Sequence, residues 1–137
     1  MIGNKNEIKL AFTIIVLTLL FGWVQSGYKI DIANDVYLIK LSGKAYVHVS
    51  VTDIGSFKNV FSNGLVLVSK GEAFLFDTTI DDEQTKTLVE GISNILHAKK
   101  VTKFLAGHWH GDYIRGLGYL HGIGVESYAE EQTYCTS

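Results

Sequence analysis

The sequence has no proline, one cysteine and one methionine in 137 residues. A single thiol, Cys135, excludes a disulfide scaffold, and its place two residues from the end marks it as an inert terminal thiol. An excess of either charge is also missing: 12 Lys and Arg against 14 Asp and Glu leave a net charge of −2, with no electrostatic footprint for nucleic acid or an anionic membrane. Charged residues make up only 19% against 47% hydrophobic ones, which excludes a disordered chain. Repeats and low-complexity linkers are absent, so the length allows one domain. Proline is missing beside 14 glycines, an unusual pairing.

Long apolar runs are likewise missing except for one. Leu10–Val24 is uncharged and almost wholly apolar, behind a basic stretch carrying Lys5 and Lys9. It is shorter than the roughly 20 residues that a membrane span needs, and it suits the core of a secretory signal. Val24-Gln25-Ser26 supplies a cleavage site, so residues 1–26 are read as a signal peptide and 27–137 as a periplasmic domain. The competing reading is an uncleaved anchor, because no charge lies between Lys9 and Lys29. An exported domain without disulfides depends on core burial or a metal.

In the domain, Asp35–Leu41 and Ala45–Val51 read as strands around the Ser42-Gly43-Lys44 turn. The second alternates Tyr46, His48 and Ser50 with Val47, Val49 and Val51, and His48 is read as a satisfied sheet residue. Thr52–Gly64 reads as a polar loop with Ile54, Phe57, Val60 and Phe61, either a substrate flap or a segment tucked on the core. Leu65–Val68 and Ala73–Phe76 are continuous apolar runs that predict strands buried on both faces. Asp81–His97 predicts a helix with one apolar stripe, acidic at its start, with His97 serving the dipole in its last turn. A strand over Val101–Ala106, a helix over Asp112–Leu120 and a strand over Val125–Tyr128 complete an α/β pattern, with a last helix beginning at Ala129.

Chemistry concentrates in Gly107-His108-Trp109-His110-Gly111-Asp112, just past the Val101–Ala106 strand, where α/β sheets place ligand sites. Alternation puts His108, His110 and Asp112 on one side of an extended backbone. Two imidazoles and a carboxylate converging on one point suit zinc. Chance places this spacing roughly 0.01 times in a chain of this composition. The plainer reading is a polar loop whose histidines face water. His121, at a helical turn before Gly122, reads as solvated surface.

At these residues the chain resembles a metallo-β-lactamase of the di-zinc subclass whose first site is three histidines. The resemblance runs from about Ile30 to Thr133 through Val36-Tyr37, Tyr46-Val47-His48, Asn63-Gly64-Leu65, Phe76-Asp77-Thr78, Gln84-Thr85, His108-Trp109-His110-Gly111-Asp112, Gly116-Leu117-Gly118-Tyr119-Leu120 and Ser127-Tyr128-Ala129. It implies the N-terminal half of a four-layer αβ/βα sandwich and two Zn2+ per complete enzyme. His108 and His110 would be ligands of the first zinc, and Asp112 a ligand of the second that also orients the nucleophile. Asp77 would be a buried carboxylate beneath the metals, and Phe57 would stand near the tip of a substrate flap. The implied reaction is hydrolysis of a β-lactam antibiotic by zinc-bound hydroxide, without a covalent intermediate. The implied complete enzyme is a monomer that confers antibiotic resistance.

Four departures from that pattern carry expectations. Gly107 replaces a hydroxyl or amide residue before the first histidine, removing an orienting hydrogen bond. Arg115 replaces the first glycine of a pair; a positive φ there would cost ~1–2 kcal/mol. Thr79 replaces a proline and is expected to loosen its turn. The third histidine, the cysteine and final histidine of the second site, and a substrate lysine fall beyond residue 137. The expectation is therefore a front portion that is inactive alone, with the inner face of its sheet uncovered. Another hydrolase of the same fold, of thioester or nuclease type, is disfavoured by Tyr113, where those place a histidine. A non-catalytic exported remnant is the alternative outside enzymology.

Overall fold

The computed structural model describes residues 27–107, 110 and 114–129; the expected signal peptide lies outside them. Strands β1 (Tyr28–Asp31), β2 (Val36–Ser42), β3 (Ala45–Ile54), β4 (Phe57–Ser69) and β5 (Glu72–Phe76) lead into helix α1 (Asp82–Leu96). Strand β6 (Lys100–Leu105), helix α2 (Leu117–Gly122) and strand β7 (Glu126–Tyr128) follow. All seven strands form one mixed sheet in sequence order. The first five pair antiparallel, whereas β5–β6 and β6–β7 are parallel. A helical crossover is what parallel neighbours require, and α1 and α2 supply it. Among the described residues no helix is long and apolar enough to cross a membrane.

Turn chemistry sets the hairpins. Lys70 and Gly71 both have positive φ, 50° and 80°, the backbone of a tight two-residue turn whose twist matches its flanking strands. Gly55, at φ 57°, opens the turn between β3 and β4, where Ile54 pairs with Phe57. Thr52–Gly64 is therefore not a loop. It is the distal half of a long hairpin, because the β-branched and aromatic residues at 51, 52, 60 and 61 keep the ladder paired. A register shift between Thr52 and Ile54 bends the arm. Asp53 there accepts from the Asn59 amide at 3.0 Å and pairs with Lys58 at 2.8 Å.

One face of the sheet is covered. Val36, Leu38, Val66, Ala73, Leu75, Val101 and Phe104 pack against Leu88 and Ile92 of α1 and Leu120 of α2. Asp81 caps α1 by accepting from the Gln84 amide at 2.8 Å. Gln84 then donates to Asp35 at 2.6 Å and to the Val51 carbonyl at 3.1 Å, tying α1 to the sheet. His97 lies beyond the last turn of α1, as a left-handed cap at φ 54°, so it ends the helix geometrically instead of complementing its dipole.

The opposite face is open. Leu67, Phe74, Leu105 and Tyr128 share it and are 37%, 37%, 40% and 46% exposed. The runs at 65–68 and 73–76 are thus buried on one face, not both: their second face meets no layer within the described residues. Of the helix expected over Asp112–Leu120, Ile114 is helical and residues 117–120 lie in α2 beyond the turn at Arg115 and Gly116, whereas the expected start at Asp112 lies outside the described residues.

Candidate active site

Parallel strands β5 and β6 end side by side, with Phe76 opposite Leu105. The chain leaves β5 through Asp77 and β6 through Gly107, so both segments emerge at the carboxyl edge of the sheet, where α/β folds bind ligands. Asp77 sits at φ 57°, a conformation that Asp tolerates better than most residues. Its amide donates to the Leu105 carbonyl at 3.1 Å, and its Oδ1 accepts from the Gly107 amide at 2.7 Å. A charge-assisted bond of that length pins the first residue of the His-rich stretch to the end of the neighbouring strand.

Gly107 is fitted to this contact. A Cβ there would stand 3.1 Å and 3.2 Å from the two Asp77 carboxylate oxygens. The hydrogen bond seen at this position is made by the Gly107 backbone and not by a side chain. His110 is exposed, whereas His108 and Asp112 lie outside the described residues. Of the expected metal ligands the structure therefore places only His110, and among the described residues no three ligating side chains come together. Among the described residues the donor chemistry here is one exposed imidazole, which is compatible with a metal but does not by itself assemble a metal site.

Threonines brace the next turn. Thr79 is fully buried, and its hydroxyl lies 3.1 Å from the Asp81 carbonyl and 2.6 Å from the Thr85 hydroxyl. The turn is held by these bonds, contrary to the loosening expected from the missing proline. Thr78 Oγ1 accepts from the Gly116 amide at 3.1 Å, and Gly116 packs so tightly on Thr85 that a Cβ would overlap it. Arg115 is exposed and is not among the left-handed residues Asn59, Lys70, Asp77 and His97, so the expected backbone penalty does not arise.

Phe57 stands 71% exposed beside the hairpin turn, at the tip of an arm. His121 meets only surface chemistry, 2.7 Å from the Ser127 hydroxyl. Sequence reading missed the reach of His48. Its ring is fully buried on β3, and Nε2 donates to both the Phe76 and Asp77 carbonyls at 3.1 Å. Burial lowers its pKa from 6.5 to about 4. Its register partner, Gly64, was the available signal: a Cβ there would strike the ring and the Phe76 carbonyl.

No family model matches the chain. It is, however, 42% identical over 120 residues to the metallo-beta-lactamase type 2 of Bacteroides fragilis, covering 87% of this chain and 48% of that protein. This chain is a metallo-β-lactamase homologue. Its backbone also matches crystal structures of that family. One from Erythrobacter litoralis superposes with a TM-score of 0.72 at 28% identity, covering 77% of this chain and 46% of that one. Another, from Pseudomonas aeruginosa in a mono-zinc form, gives 0.68 at 26% identity over 75% and 46%. The chain spans about half the length of the curated relative it matches, consistent with an N-terminal portion, and the mixed sheet with few helices is that part of the metallo-β-lactamase fold.

Proposed function

We propose that this chain carries the metal-binding loop of a zinc-dependent hydrolase of β-lactam antibiotics. The observation that carries the reading is the 42% identity to the Bacteroides fragilis metallo-beta-lactamase. The pinned loop at the carboxyl edge of the parallel strands supports it. In this reading His108 and His110 hold one metal, Asp112 holds a second, and Phe57 at the arm tip closes over substrate. Bound zinc would supply Lewis acidity and a hydroxide at neutral pH. Hydrolysis breaks the lactam C–N bond, adding hydroxyl to the carbonyl carbon and a proton to the nitrogen.

Catalytic zinc sites use three protein ligands plus water. The expected set within these 137 residues gives two to one metal and one to the other. The chain by itself is therefore proposed to bind zinc weakly and to leave β-lactams intact. Carbapenem hydrolysis by the purified chain, abolished by His110→Ala, would overturn that reading. In a full-length form carrying the same loop, Asp112→Ala should lower kcat/KM at least a hundredfold; unchanged activity removes the site assignment. Residues 1–26 are proposed to direct export to the periplasm. Amino-terminal sequencing of the periplasmic fraction should begin at Gly27, and retention of residues 1–26 would favour the anchor.

A further inference from the structure

The segment that leads into the His-rich stretch is held by Asp77, and Asp77 is itself held from two strands away. His48 lies on β3 opposite Gly64 of β4. Because Gly64 has no Cβ, the imidazole passes across β4 and reaches the end of β5, where Nε2 stands 3.1 Å from both the Phe76 and the Asp77 carbonyls. Two carbonyls can only accept, so the ring proton is on Nε2, and the buried Nδ1 has no partner among the described residues. A buried ring with one bare nitrogen is an expensive way to fill a core position. A leucine would pack there without that penalty.

We propose that His48 is a positioning residue: its Nε2–H clamps the Phe76–Asp77 backbone, and through Asp77 Oδ1 it fixes Gly107, the residue from which the chain enters the His-rich stretch. Asp77 needs such a clamp. It holds a left-handed backbone, at φ 57°, that a non-glycine residue keeps only where its surroundings over-determine it. The Leu105 carbonyl fixes its amide, His48 its carbonyl, and Gly107 meets its carboxylate. Without His48 the Asp77 carbonyl loses this donor, and the hold of Oδ1 on the Gly107 amide loosens. The catalytic consequence rests on the zinc-hydrolase reading; the clamp does not.

The full 137-residue chain, labelled with 15N, tests this directly. The His48 ring should show the Nε2–H tautomer at pH 7, and an Nδ1–H tautomer would overturn the proposal without any substitution. In His48→Phe the Gly107 amide should exchange with solvent at least tenfold faster than global destabilisation accounts for. Val66→Ala, which destabilises the same core away from the clamp, should give no such excess. His48→Gln, whose amide can donate to the same carbonyls, should restore slow exchange. Equal Gly107 protection in His48→Phe and Val66→Ala, or no rescue by Gln, refutes the clamp. Titration of the wild-type chain with Zn2+ alone is the separate arm: absence of binding counts against the metal reading while Gly107 exchange still judges His48.

Discussion

His48 shows how one buried side chain couples a local bond to the stability of the whole chain. The folded chain holds it neutral with a pKa of about 4, because burial opposes the charge, whereas an unfolded histidine titrates near 6.5. Between those values the unfolded state binds a proton that the native state refuses, so stability falls as pH drops through that window. The loss reaches about 3 kcal/mol by pH 4. Urea midpoints at pH 7 and pH 4.5 should therefore differ more for the wild type than for His48→Gln; equal differences would show that His48 does not carry the effect. At the same scale, the backbone at Gly107 and Arg115, two departures from the family pattern, is well accommodated. Gly107 is accommodated by a backbone bond to Asp77, and Arg115 sits at an ordinary φ on the surface.

Among the elements, α1 does the most to place the site. Its amino end receives Thr79, Thr85 and the Asp81 cap, and Asp82 accepts from the Tyr119 amide of α2 at 2.8 Å. That network joins the turn after β5 to the start of α2, the element that follows the His-rich stretch. Asp81→Ala removes the cap on the Gln84 amide and should cost about 1 kcal/mol of stability, read from chemical denaturation. A loss below about 0.3 kcal/mol would mean that water replaces the carboxylate fully. The stripe of Leu88 and Ile92 and the acidic first turn made this helix legible in the sequence. The hairpin arm was not legible, because its glycines and polar residues read as a loop. Pairing partners on the opposite strand, not local composition, decide that Thr52–Gly64 is a ladder.

At the scale of the described fold, the decisive feature is a sheet with one face covered. Domains bury each apolar face of a sheet against another layer, and here only the helical side is covered within the described residues. The face bearing Leu67, Phe74, Leu105 and Tyr128 should bind a hydrophobic dye such as ANS and drive concentration-dependent self-association of the 137-residue chain. Leu105→Lys should reduce that association in sedimentation velocity without lowering the denaturation midpoint, since its side chain is already 40% exposed. A wild-type chain that stays monomeric and dark to ANS at high concentration would show that this face is covered in solution.

The sequence by itself determined the strands with clear alternation, the main helix and the resemblance to the family, because these depend on residue type at short range. Only the tertiary structure decided that His48 reaches Asp77 across Gly64, that Thr79 braces its turn, that residues 52–64 pair as a hairpin and that one sheet face is uncovered within the described residues. Each of those facts joins atoms on different strands or helices. No local periodicity encodes such contacts: they exist once the register of the sheet is set and side chains from distant positions come within hydrogen-bonding or packing distance.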